Sequence, residues 1–97
     1  MPYYQQALQI AQEVQDKAGQ SAALGNMGAV CNALGEYDKA LGHFQQALPI
    51  AQELQDKAGQ SGALGNMGIV YQNLGEYGKA LEHYQQYLQI ARELQDK

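Results

Sequence analysis

Apolar residues along this chain recur with the period of an α-helix. Leu24, Met27, Cys31 and Leu34 fall at i, i+3, i+7 and i+10, which lines them up as one stripe on a helix. The stripe stops in Leu34-Gly35-Glu36-Tyr37, where Gly35 supplies a left-handed C-terminal stop. A second stripe follows: Tyr37, Ala40, Leu41, Phe44, Leu48, Ala51 and Leu54. Forty residues on, the layout returns as Leu64, Met67, Tyr71 and Leu74, then Gly75, then Tyr77, Ala80, Leu81, Tyr84, Leu88, Ala91 and Leu94. No stretch alternates with period two, so no strand is predicted. Glu53 and Lys57 stand at i, i+4 at the close of the second helix, in the order that suits both charge pairing and the helix dipole. Glu13/Lys17 and Glu93/Lys97 repeat that pair.

The likeness extends beyond the stripes. Residues 17–56 and 57–96 differ at 11 of 40 aligned positions and share the other 29. Residues 1–16 continue the register, because YYQQALQIAQEVQD overlays HFQQALPIAQELQD. The chain is read as one repeat domain, 1–97, made of a half repeat (1–16) and two whole ones (17–56 and 57–97), with five helices. Pro49 lies inside a predicted helix, where it removes a hydrogen bond and is expected to kink the chain.

Leu64, Met67, Gly68 and Tyr71, then Leu74-Gly75-Glu76-Tyr77, Ala80 and Tyr84, together resemble a tetratricopeptide repeat. The preceding unit carries the same pattern in Leu24, Met27, Gly28, Cys31, Leu34-Gly35-Glu36-Tyr37, Ala40, Phe44 and Ala47. The forty-residue period exceeds the commoner one of about 34. It is similar to the long-helix subtype of kinesin light chains and of Partner-of-Inscuteable scaffolds, the latter with units like this Gly-Asn-Met-Gly. The resemblance implies an all-α, right-handed superhelical solenoid of two and a half helix-turn-helix repeats. It also implies a non-enzymatic protein-protein interaction module that binds a partner peptide in its concave groove. Three departures stand out: the usual Pro closing the second helix is absent, Pro49 sits within one, and Tyr87 replaces the small residue supplied by Ala47 and Ala7.

Asn26 and Asn66 occupy equivalent places one residue before the core Met, off the buried stripe. In the resembling families this Asn lines the concave face, where an amide holds a peptide backbone as donor and acceptor together. Asn32, Gln72 and Asn73 lie further along the same helices and would extend that lining; solvated helix residues are the alternative reading. Gly25, Gly28, Gly62, Gly65 and Gly68 disfavour a helix by about 0.8–1 kcal/mol each relative to Ala. With no phosphate-binding glycine motif present, they are read as places where neighbouring helices approach too closely for a Cβ.

Composition narrows the remaining chemistry. Apolar residues make up 45% and charged residues 16%, which suits a folded rather than a disordered chain. The net charge of −4 and the lack of a basic cluster argue against a nucleic-acid partner. The single cysteine, Cys31, excludes an internal disulfide and a Cys-rich zinc site; it fits a reducing, cytoplasmic setting and overlays Tyr71 on a core stripe. His43 and His83 recur on successive second helices, too far apart to share a metal, and are read as helix-surface residues. No cofactor, metal or membrane partner is expected, and no catalytic constellation stands out.

The ends suggest a second function. Arrays of this kind need about three repeats and polar caps, so Tyr4, Leu8 and Ala11 at one end and Leu88 at the other are expected to be exposed. Such patches favour a homo-oligomer, formed end to end or by helix swapping. Tyr87 would shield the open end, contact a partner, or represent drift between the copies. In Leu54-Gln55-Asp56-Lys57-Ala58-Gly59, Gln55 stands where the resembling scaffolds often place a helix-stopping Gly. The connector would then either straighten and permit swapping or turn at Gly59 instead. A self-assembling structural repeat unit is therefore the alternative function, and an engineered or excised fragment would show the same features.

Overall fold

Each predicted stripe becomes one helix. The computed structural model describes residues 2–13 and 16–95, arranged as α1 (Pro2–Glu13), α2 (Lys17–Ala33), α3 (Tyr37–Glu53), α4 (Lys57–Asn73) and α5 (Tyr77–Gln95). No strand occurs among the described residues. Helices α2/α3 and α4/α5 form hairpins, and α1 and α3 each pack against the first helix of the next repeat.

Within each repeat the turn is closed as the sequence indicates. Gly35 and Gly75 take φ values of 78° and 79°, and the Glu36 and Glu76 N–H groups reach back to the Cys31 and Tyr71 carbonyls at 2.8 and 2.9 Å. Leu34 and Leu74 fall at the C-caps, so the last residue of each first-helix stripe stays exposed rather than entering the core.

The turn between repeats differs from both sequence expectations. It neither straightens nor moves to Gly59. Gln55 itself takes the left-handed conformation, with φ 55°, and its N–H donates to the Gln52 carbonyl at 3.1 Å. The Asp56 N–H donates to the Ala51 carbonyl at 2.9 Å, completing the bond pattern of a glycine-closed helix. A non-glycine residue in that region costs about 1–2 kcal/mol. Two side chains offset it. Asp56 Oδ1 accepts the Gly59 N–H at 2.9 Å and so caps α4, while the buried Gln60 donates from Nε2 to the Ala51 carbonyl at 3.4 Å. Asp16 and Gln20 make the same two bonds between α1 and α2.

These caps also correct the charge pairing. Lys57 opens α4 instead of closing α3, and its Nζ lies 3.3 Å from a Glu93 carboxylate oxygen on α5. Glu93–Lys97 falls outside the described residues, as does the Glu13 side chain.

The core is centred on Cys31, Ala40, Leu41, Phe44, Met67 and Val70, with Tyr37 and Tyr71 packed at its margin. Phe44 lies over Gly28, where an added Cβ would stand 2.7 Å from the ring, and Tyr84 meets Gly68 in the same way at 2.6 Å. Helix α3 continues through Pro49, whose ring is exposed.

The two ends are unlike. Leu41 is 9% exposed beneath the following repeat, whereas its counterpart Leu81 is 58% exposed because no helix follows α5 among the described residues. Tyr77 and Leu88 are uncovered for the same reason. At the other end, Ala11 is buried, contrary to expectation, and Tyr4 and Leu8 are half-buried. The start of α2 covers Ala11: a Cβ added to Gly19 would stand 3.2 Å from the Ala11 Cβ.

Candidate peptide-binding groove

The first helices of the two whole repeats lie closer together than the second helices do. α2 comes into contact with α4, whereas α1, α3 and α5 have no Cα within 8 Å of one another among the described residues. The stack therefore bends with α2 and α4 on its inner side. Between them lies an open cleft of about 350 Å³, lined by both Asn26 and Asn66, with Phe44 and Ala47 also contributing to its lining.

Glycine opens this cleft. Gly25 and Gly62 line it, and a Cβ added to either would meet nothing within 4 Å. The close-approach explanation holds at Gly28 and Gly68, and at Gly65 beneath Tyr87, but not at these two positions. What their missing side chains leave is room above the helix backbone.

A second cleft of about 460 Å³ continues on the α5 side of α4. It shares Gly62 and Asn66 with the first and adds Ile69, Tyr84 and Tyr87. Tyr87 turns onto its own hairpin partner, 3.2 Å from the position of a Gly65 Cβ. It thus lines this cleft while remaining partly exposed. Sequence reasoning missed Ile69, which overlays Ala29 in the preceding copy; the signal available was that difference between copies.

Asn26 and Asn66 are exposed, and neither amide has a hydrogen-bond partner among the described residues. Asn32, Gln72 and Asn73 line neither cleft. Asn73 Nδ2 donates to Asn32 Oδ1 at 3.1 Å, which ties α4 to α2 about two turns beyond Asn26 and Asn66. Gln72 Oε1 accepts the Tyr84 hydroxyl at 2.8 Å. Phe44 has no hydroxyl, so Asn32 lacks that bond and meets Asn73 instead.

Both histidines lie on second helices and are half-buried. His83 Nδ1–H donates to the Lys79 carbonyl at 2.8 Å, and its ring lies 4.9 Å from the Tyr71 ring. His43 Nδ1 is buried with no hydrogen-bond partner among the described residues. Cys31 is fully buried, and burial pushes its thiol pKa up, with the Glu36 carboxylate adding to the shift. No group of three His, Cys, Asp or Glu side chains placed to hold a metal occurs among the described residues.

Models of the tetratricopeptide repeat match residues 2–53 and 62–94. The chain belongs to the tetratricopeptide repeat family. Among solved structures, the tetratricopeptide repeat domain of Arabidopsis FLU is 29% identical and superposes with a TM-score of 0.84, over 96% of this chain and 76% of that one. No curated protein matches the chain. Tetratricopeptide repeats generally mediate protein-protein interaction and typically act as scaffolds rather than enzymes. Among the described residues no helix is long and apolar enough to cross a membrane.

Proposed function

We propose that this chain binds an extended segment of a partner protein in the cleft between α2 and α4, with Asn26 and Asn66 holding the segment's backbone. One observation carries the reading. Of the five polar residues singled out in the sequence, the two that line the cleft have unengaged amides, whereas the other three are bonded elsewhere. Two amides 40 residues apart in sequence, each both donor and acceptor, suit a backbone that presents both kinds of group at regular intervals.

The test is peptide display against the folded chain, followed by anisotropy titration of a selected peptide. Asn66→Ala is expected to weaken binding about 10-fold, as the loss of one or two hydrogen bonds of about 0.5–1.5 kcal/mol each would do. Particle mass should not change. Binding unaffected by both Asn26→Ala and Asn66→Ala would sink the reading.

The uncovered face of α5 supports a second reading, self-association through Tyr77, Leu81 and Leu88. Light scattering after size exclusion at several concentrations separates the two. On this reading the mass exceeds that of one chain, and Leu81→Glu returns it to the monomer with helicity retained. A monomer at every concentration would remove it.

A further inference from the structure

The two clefts share Gly62 and Asn66 but differ in chemistry, and that difference describes a ligand. It rests on the groove reading above. In the first cleft the space over Gly25 and Gly62 is bare down to the helix backbone, which lets a peptide main chain come close to it. In the second, three positions carry bulk that the preceding copy lacks or limits: Ile69 for Ala29, Tyr84 for Phe44 and Tyr87 for Ala47. Tyr84 packs over Gly68 as Phe44 does over Gly28, but core packing does not explain the bulk of the other two, because Ile69 is 43% exposed and Tyr87 38% exposed. Apolar surface facing an open cleft is favourable once an apolar group fills it.

Charge supplies the second half of the description. Among the described residues that line the two clefts, Asp56 is the only charged one. Its Oδ1 is engaged by the Gly59 N–H, yet the residue is exposed to the cleft. The chain as a whole carries −4, so its field favours a cationic partner over a second copy of itself.

We propose that the partner segment is a basic extended peptide, seating one bulky apolar side chain between Ile69 and Tyr87 and a lysine or arginine at Asp56. Thirteen residues of α4 separate Asp56 from Ile69, a rise of about 20 Å. An extended chain covers that distance in about six residues. The peptide thus carries its cation and its apolar anchor about six positions apart, with the intervening backbone crossing Asn66.

A random twelve-residue peptide library displayed on phage and selected on the full chain tests this, followed by titration of the enriched synthetic peptides. Three substitutions are chosen to spare the fold, and unchanged helicity by circular dichroism checks that they do. Tyr87→Ala and Ile69→Ala restore the residues of the preceding copy, and Asp56→Asn keeps an equally good helix cap while removing the charge. Enriched peptides are expected to pair Lys or Arg with Leu, Ile, Met or Phe about six positions away. Tyr87→Ala and Ile69→Ala should each weaken them at least 5-fold, and Asp56→Asn should weaken them and flatten their salt dependence. Peptides that lose affinity with Asn66→Ala but lack this pattern, or are indifferent to the other three variants, would overturn the inference and leave the groove reading standing. Enrichment of nothing, or of peptides insensitive to all four substitutions, would overturn both.

Discussion

Phe44→Ala is expected to destabilise the chain by about 3–5 kcal/mol, a large part of the roughly 5–15 kcal/mol that holds a domain together. Phe44 is 1% exposed and is the largest fully buried side chain among the described residues. It closes its own hairpin over Gly28 and belongs to the same cluster as Met67 and Val70 of the next repeat. Truncation would leave a cavity beside a glycine, which has no side chain to move into it. Because each repeat depends on its neighbour, the loss should spread from α2/α3 into α4. Urea unfolding followed by circular dichroism measures it, and Tyr84→Ala, at the half-buried counterpart, should cost less. Equal losses at the two positions would mean that burial does not set their contributions.

The second large effect has the opposite sign. Pro49→Gln is expected to stabilise the chain by about 2–3 kcal/mol, because proline inside a helix is disfavoured by about 3 kcal/mol. Helix α3 runs from Tyr37 to Glu53 with Pro49 in its interior, so the Gln45 carbonyl lacks its usual N–H donor. The ring is exposed and contributes little packing to lose. Gln already occupies this place in the other two copies, as Gln9 and Gln89. At about 4–8 °C per kcal/mol for a domain of this size, the thermal midpoint should rise by about 10 °C or more. An unchanged midpoint would show that α3 has adapted to its proline without cost.

What was legible in the sequence is what period and repetition encode. The helices, the glycine turns at Gly35 and Gly75 and most of the core follow from stripe positions that recur with little change. The turn between repeats was not legible, because Leu-Gln-Asp-Lys contains no residue that rules out a helix. Its geometry comes from bonds made across the turn by Asp56 and Gln60, and a linear pattern does not display such bonds. Burial at the ends was half legible. Leu88 is uncovered as expected, but Ala11 is covered by a helix that begins only six residues later. In the groove, Asn26 and Asn66 could be placed from register alone. The engagement of Asn32 with Asn73 could not, because it depends on a bond between side chains 41 residues apart. Ile69 escaped notice because a single exposed isoleucine carries no signal until its neighbours in space are known.

Close repetition has a cost for recognition, and Tyr87 bears on it. Two copies of one surface offer a ligand two degenerate registers, so a segment held at Asn26 would be nearly as content one repeat along at Asn66. Such translational symmetry raises occupancy but blurs which partner residue meets which repeat. Tyr87, standing over Gly65 where the other whole repeat has alanine, breaks that symmetry at one end. A bound chain would then have a preferred origin from which its positions are counted.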